Sequence, residues 1–228
     1  MLTKIATRNS LYSGRIDKKE PSALDIAVGR IGFRKRFGIN EEIYGANERA
    51  DYFYKVVSGC VRSYTVVEDG RRLIAAFYLP GDIFGLEPTE RHLFSAEAIF
   101  DAEMLVINRN EVMQSAAREN TLARDLWAHV ANELHRTQSH LLLLNKSASE
   151  RVAIFLLEMG DRTRHDRTRH QDEIGLPMSR QDIADYLAVT GETVSRTLTK
   201  LENTSAIALR TTRSIVLRDR AGLEQMVI

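Results

Sequence analysis

The chain holds one cysteine, Cys60, in 228 residues. A single thiol excludes an internal disulfide framework and any all-cysteine metal site within one copy. Cys60 lies in an apolar alternating run, which suits a buried small side chain; a redox thiol is the alternative. Long hydrophobic runs are missing too. Apolar residues make up 43% of the chain, yet no uninterrupted stretch approaches the roughly 20 residues of a membrane span. The opening Met1-Leu-Thr-Lys-Ile-Ala-Thr-Arg runs directly into polar residues, with neither signal peptide nor anchor evident, so the cytoplasm is the expected compartment. Catalytic signatures are absent as well: no His-x-His with a carboxylate as in a metal-binding cupin, no Gly-x-Ser-x-Gly and no P-loop. An enzyme is not expected. Net charge is only +1, which by itself does not suggest a nucleic-acid partner. Its placement is uneven, however. Arg162, Arg164, Arg167, Arg169, Arg180, Arg196, Lys200, Arg210 and Arg213 fall in the last third, while Glu41, Glu42, Glu48 and Asp51 crowd earlier. Local fields attract phosphates even where the total is near zero.

Four segments follow from texture. Residues 1–30 give weak signals, with a short helix around Asp25-Ile-Ala-Val-Gly. Residues 31–120 read as a β-roll. Tyr54-Lys-Val-Val-Ser and Val61-Arg-Ser-Tyr-Thr-Val-Val are strands broken at Ser58-Gly59, and Glu68-Asp69-Gly70 is a hairpin turn, since glycine readily takes positive φ. Leu73-Ile-Ala-Ala-Phe-Tyr-Leu leads to a turn at Pro80-Gly81-Asp82, and Ser95–Ile99 and Ala102–Ile107 add two short strands. Residues 121–146 form a long helix free of proline and glycine from Leu122 to Leu144. Trp127, Val130, Leu134, Thr137, Leu141 and Leu144 recur at steps of three and four, a heptad seam suited to a second copy. Leu122, Leu126 and Leu142 lie off that seam and favour the alternative, a helix packed on its own domain. In residues 147–228, Ser147-Ala-Ser-Glu150 fits a capping box for a helix ending at Gly160. The tandem Asp161-Arg-Thr-Arg-His and Asp166-Arg-Thr-Arg-His reads as an exposed loop, its arginines either meeting phosphates or merely solvated.

Met178 to Glu202 carries the most information. Ser179 is placed to cap Arg180–Leu187 with Asp182 reaching back, and Ile183, Ala184 and Leu187 share one face. Ala188-Val-Thr190 makes a short turn, and Thr190 caps a second helix from Gly191 to Leu201 with Val194, Leu198 and Leu201 inward. Two short helices joined by a three-residue turn describe a helix-turn-helix. On the outer face, Glu192, Ser195 and Arg196 stand at i, i+3 and i+4. Glutamate suits the cytosine N4 donor, and the arginine fork suits guanine O6 and N7. A solvated helix face with a Glu–Arg pair is the plainer reading. Ser179, Arg180, Thr190, Thr193, Thr197 and Thr199 are candidate phosphate contacts, and a wing hairpin over Ile207–Arg210 and Ser214–Leu217 adds Arg210 and Arg213.

This α+β order of β-roll, dimerisation helix and winged helix-turn-helix resembles the CRP/FNR family, in its FixK-like branch. The carrying words are Tyr54-Lys-Val-Val-Ser-Gly, Asp69-Gly-Arg-Arg, Leu79-Pro-Gly-Asp-Ile-Phe-Gly, Met178-Ser-Arg-Gln-Asp-Ile-Ala-Asp-Tyr-Leu and Glu192-Thr-Val-Ser-Arg-Thr-Leu. The resemblance implies a homodimer reading a TTGAT-type inverted repeat in double-stranded DNA. It also implies activation through RNA polymerase, touched along Asp82–Glu90, and control of low-oxygen respiration and nitrogen-fixation genes. It departs from the sensing members. Phe94 stands where cyclic-nucleotide members carry a phosphate-gripping arginine, and Cys60 alone cannot hold the FNR iron–sulfur cluster, so no cofactor is expected. Ala188 stands where family turns usually have glycine, which suggests a different local angle. The alternative is a haem- or nitric-oxide-sensing relative, with His92, His129, His135 and His140 as candidate ligands.

Overall fold

The computed structural model describes residues 21–163 and 173–227, so Arg164, Arg167 and Arg169 lie outside the described residues. Helix α1 (Ala23–Ile31), capped by Ser22, leads into strands β1 (Phe33–Phe37), β2 (Glu42–Tyr44), β3 (Tyr52–Val66), β4 (Arg72–Tyr78), β5 (Ile83–Phe84) and β6 (Ser95–Asn108). These make one antiparallel sheet in the order β1-β6-β3-β4, with β2 on β6 and β5 on β3. Its inner face buries Phe37, Tyr44, Tyr54, Val56, Val61, Tyr78, Phe84 and Met104, the core of the roll.

Two of the strands are longer than the sequence suggests, β3 and β6, and β1, β2 and β5 add to those it names. Ser58-Gly59 does not break β3. Gly59 has φ +88, and a Cβ there would lie 2.4 Å from the Asp101 carbonyl. The strand passes through a series of register shifts between Val56 and Val61 and continues. Such bulges bend a strand without ending it. Its partner β6 stays continuous for the same reason, where two short strands were expected. The Asp69-Gly70 turn forms as expected, with Gly70 at φ +81 and its N–H donating to the Val67 carbonyl.

Helix α2 (Arg109–Ala116) leads to the long α3 (Asn120–Leu143). Leu122 is fully buried against α1 and the roll, and Leu126 packs beside it; Leu142, in contrast, is exposed. Next comes α4 (Ala148–Thr163), started by the Ser147–Glu150 capping box. Gly160 does not end this helix. A Cβ at Gly160 would lie 3.2 Å from Leu217 and 3.4 Å from Ile174, so the glycine permits close packing and the helix runs on to Thr163. Val152 to Gly160 are all buried.

The C-terminal elements are β7 (Glu173–Gly175), α5 (Arg180–Leu187), α6 (Gly191–Asn203), β8 (Ile207–Thr211), β9 (Ser214–Leu217) and α7 (Arg220–Met226). The wing is a three-stranded sheet, β7-β9-β8. A single apolar core joins Cys60, Ile74, Phe77, Leu79 and Ile99 of the roll to α4, α5, α6 and the wing. The roll and the C-terminal elements therefore share a packed interior. Cys60 is part of it, and burial pushes its thiol up to about 12, as a structural cysteine requires.

Candidate nucleic-acid interface

Helix α5 begins with a complete capping box: Asp182 N–H donates to Ser179 Oγ at 3.0 Å, and Ser179 N–H donates to Asp182 Oδ2 at 2.9 Å. It ends at Ala188 with φ 52 and ψ 48, the left-handed conformation. The turn angle usually supplied by glycine is thus kept, at a strain of about 1 kcal/mol for a residue with a Cβ. Thr190 then caps α6, accepting from the Thr193 N–H at 3.1 Å. Val194, Leu198 and Leu201 turn inward against Ile183, Ala184 and Leu187. Arg151 of α4 braces this turn, donating to the carbonyls of Leu187 at 2.9 Å and Ala188 at 3.3 Å. It also donates to the Leu144 carbonyl at 2.8 Å, so one guanidinium ties the end of α3 to the end of α5.

The three candidate base readers stand together on the outer face of α6. Glu192 and Arg196 keep 70% and 78% of their side-chain surface in solvent and pair at 2.6 Å. Ser195 is exposed and donates to the Gly191 carbonyl at 2.9 Å, leaving its lone pairs outward. An exposed i,i+4 pair is worth little to stability and separates readily for a base edge.

The candidate phosphate contacts divide. Thr190, Thr199, Arg210 and Arg213 are exposed and Thr193 is half-buried. Ser179 is exposed, but its hydroxyl donates to Asp182 at 2.7 Å. Arg180 is half-buried at the start of α5, with Nη1 shielded and unbonded among the described residues. Thr197 is a correction. At 6% exposure it belongs to the inner face, three residues after Val194 and four before Leu201, and cannot reach a phosphate. Arg162 is another: it lies inside α4, donating to the Phe77 carbonyl at 2.8 Å and to Asp82 at 2.5 Å. Asp82, spoken for by Arg162, is removed from the expected polymerase surface; Pro88, Thr89 and Glu90 remain exposed there. Arg213 lies 4.7 Å over the Phe100 ring of the roll, a contact that sequence patterns did not signal.

Along α3, the heptad stripe faces solvent. Trp127 is 74% exposed, and Val130, Leu134, Leu141, Leu144 and Thr137 are exposed with it.

The histidines do not gather. His92 is buried, stacked on Tyr44 at 3.6 Å with Nδ1 3.4 Å from Glu87. His129 Nε2 lies 3.1 Å from the Ile83 carbonyl, His140 rests on Tyr186, and His135 is exposed. Among the described residues, no three His, Cys, Asp or Glu side chains form a metal-holding group. The loop between β5 and β6 is closed on itself by side-chain contacts. His92 and Glu87 turn to each other, and in the roll the Tyr54 and Tyr78 rings stack on Phe84 at 5.3 and 4.7 Å.

The family of the Crp-like helix-turn-helix domain matches residues 150–226, and that of the cyclic nucleotide-binding domain matches residues 34–119. The chain is 46% identical over 200 residues to the nitrogen fixation regulation protein FixK of Azorhizobium caulinodans, covering 87% of this chain and 81% of that one. The chain belongs to the CRP/FNR family of transcription regulators, in its FixK-like branch. The FixK of Rhizobium meliloti is 41% identical, over 81% of this chain and 82% of its own. The solved structure of FixK2 from Bradyrhizobium japonicum superposes with a TM-score of 0.82 at 44% identity, covering 87% of this chain and 98% of that one. This CRP/FNR regulator therefore has the family's β-roll and C-terminal DNA-binding helix-turn-helix.

Proposed function

We propose that two copies of this chain bind a TTGAT-type inverted repeat in double-stranded DNA and activate transcription by touching RNA polymerase. The observation that carries this reading is the exposed Glu192–Ser195–Arg196 set at the start of the second helix of a helix-turn-helix. Arg196 takes the half-site guanine through O6 and N7, Glu192 accepts from a cytosine N4, and Ser195 fills the step between them. Thr190, Thr193, Thr199, Arg210 and Arg213 fix the register on phosphates. The solvent-facing stripe from Trp127 to Leu144 pairs with its copy, and two-fold symmetry then sets half-sites about one helical turn apart. Residues 31–120 serve as the roll, 121–146 as the dimerisation helix and 147–228 as the DNA-binding domain, after an N-terminal segment of 1–30. Pro88–Glu90 offers the polymerase contact. The names of the FixK relatives support nitrogen-fixation genes as targets, and acting on such genes places the protein in the cytoplasm.

Aromatic side chains packed in the roll core support binding without cAMP, and a single, buried cysteine supports binding without an iron–sulfur cluster. Fluorescence anisotropy of purified protein on a TTGAT palindrome, with no effector added, tests the reading. Saturable binding with a stoichiometry of two chains per duplex is expected, and equal affinity for a scrambled duplex would sink it.

A further inference from the structure

Asp182 has more to do than cap a helix. One oxygen, Oδ2, closes the capping box with Ser179 at 2.9 and 2.7 Å. The other, Oδ1, accepts from Arg62 Nη1 at 2.5 Å and from Arg72 Nη2 at 2.6 Å. Both arginines belong to the roll, Arg62 to β3 and Arg72 to β4. Arg62 is itself held by Glu97 of β6, its Nε donating at 2.7 Å. Arg72 reaches on to Asp185, one turn further along α5, with Nε at 2.9 Å and Nη2 at 2.8 Å.

A capping box is satisfied by serine, aspartate and backbone alone, and does not call for a cation. Setting the nearly buried Arg62 against a buried carboxylate costs desolvation that an apolar contact would avoid. What such a pair supplies is orientation, because a carboxylate and a guanidinium fork meet well in few geometries. Here both cations lie on the roll and both aspartates on the reading module, so the pairs exist only when the two parts are docked. In that docked arrangement Glu192 and Arg196 keep most of their surface in solvent.

We infer that Arg62, Arg72, Asp182 and Asp185 are positioning residues, which hold the helix-turn-helix on the roll with its base-reading face outward. This rests on the DNA-binding reading above. The fixed charge junction biases the arrangement of the two parts from folding onward.

The test uses the full-length protein, with hydrogen exchange of Arg180–Leu187 as the docking readout and palindrome affinity as the functional one. Arg72→Glu is expected to speed exchange in α5 and weaken binding about tenfold, within the usual range of coupling between sites. The Arg72→Glu/Asp185→Arg swap restores the pair with α5 at position 185 but leaves a carboxylate at 72 facing Asp182, so it is expected to recover both in part, with protection and affinity between those of Arg72→Glu and wild type. Arg72→Gln, which cancels charge without reversing it, should fall between and serves if the reversed variant fails to fold. Unchanged exchange in both Arg72 variants would overturn the junction. Freed α5 with undiminished affinity, or a swap that restores protection but not binding, would overturn the positioning role. A wild-type protein that ignores the palindrome while α5 exchange follows the substitutions would defeat the DNA reading, and positioning with it, but leave the docking contact standing.

Discussion

Arg162 and Arg196 are the same side chain on neighbouring helices, and the fold puts them to opposite uses. Arg196 is 78% exposed and, among the described residues, pairs with Glu192, one turn away on its own helix. Arg162 is 17% exposed and faces Asp82 at 2.5 Å and Glu158 at 3.4 Å. Burial pulls the Arg162 guanidinium pKa down, but Asp82 and Glu158 outweigh it and hold it above the ordinary arginine value. The difference shows that a run of arginines in the last third of the chain is not a DNA-binding surface as such. An arginine is available to phosphates or bases where no carboxylate from another element is fixed against it. Where one is, the arginine belongs to the fold.

The sharpest way to break that contrast is to remove each arginine and read both stability and binding. Arg162→Ala removes the nearer cation from Asp82 and Glu158, leaving Arg136 at 3.6 Å from Asp82, and is expected to cost about 3 kcal/mol in denaturant unfolding. The molecules that remain folded should still prefer the palindrome. Arg196→Ala should do the reverse: an unfolding midpoint close to wild type, and a loss of about 1–3 kcal/mol of preference for the half-site guanine. Arg213→Ala should weaken specific and random duplexes alike and reduce the salt slope by about one unit. If Arg162→Ala proved harmless to stability, or Arg196→Ala acted equally on specific and random DNA, the division into structural and reading arginines would collapse.

The reading face was legible because its signals are local. Ser179 with Asp182, Thr190 before Gly191, and the inward spacing of Val194, Leu198 and Leu201 all lie within a turn or two of one another. The Asp69-Gly70 hairpin is local in the same sense. Thr197 could have been placed correctly from its spacing, since it shares the inner side with Val194 and Leu201; counting it as a donor took its chemistry without its phase. The remaining misses are non-local. Arg162 meets Asp82 across 80 positions, and Arg62 meets Asp182 across 120. Gly59 looks like a turn until Asp101 arrives from the other strand to fill the space a side chain would need. Strand β7 and helix α7 are three and seven residues long, too short for a periodic pattern to declare them.

A smaller effect separates turn strain from packing. Ala188 holds a left-handed angle that alanine adopts at a cost, and its side chain is exposed, so nothing is lost by removing it. Ala188→Gly should therefore raise stability by about 1 kcal/mol and leave palindrome affinity unchanged. A loss of stability would mean that the entropy glycine adds to the unfolded chain outweighs the strain it relieves.

The carboxylate that faces Arg162 allows the finest test of the comparison. Glu158 is buried, and desolvation raises its pKa in spite of Arg162 and Arg136, which pull it down. A carboxyl whose folded pKa lies above its unfolded one favours folding most at pH below the unfolded value. That contribution disappears as pH climbs through the folded value, where the buried group must ionise. Glu158→Gln has no proton to lose there. Unfolding of the two proteins in urea between pH 4 and pH 8 should show the variant gaining on wild type as pH rises. A gap that stays constant would mean that Arg162 and Arg136 just balance burial, and one that turns against the variant at pH 8 that they outweigh it. Arg162 would then be a net stabilising partner to Glu158 as well as to Asp82, and Arg162→Ala should cost correspondingly more at pH 8 than at pH 4.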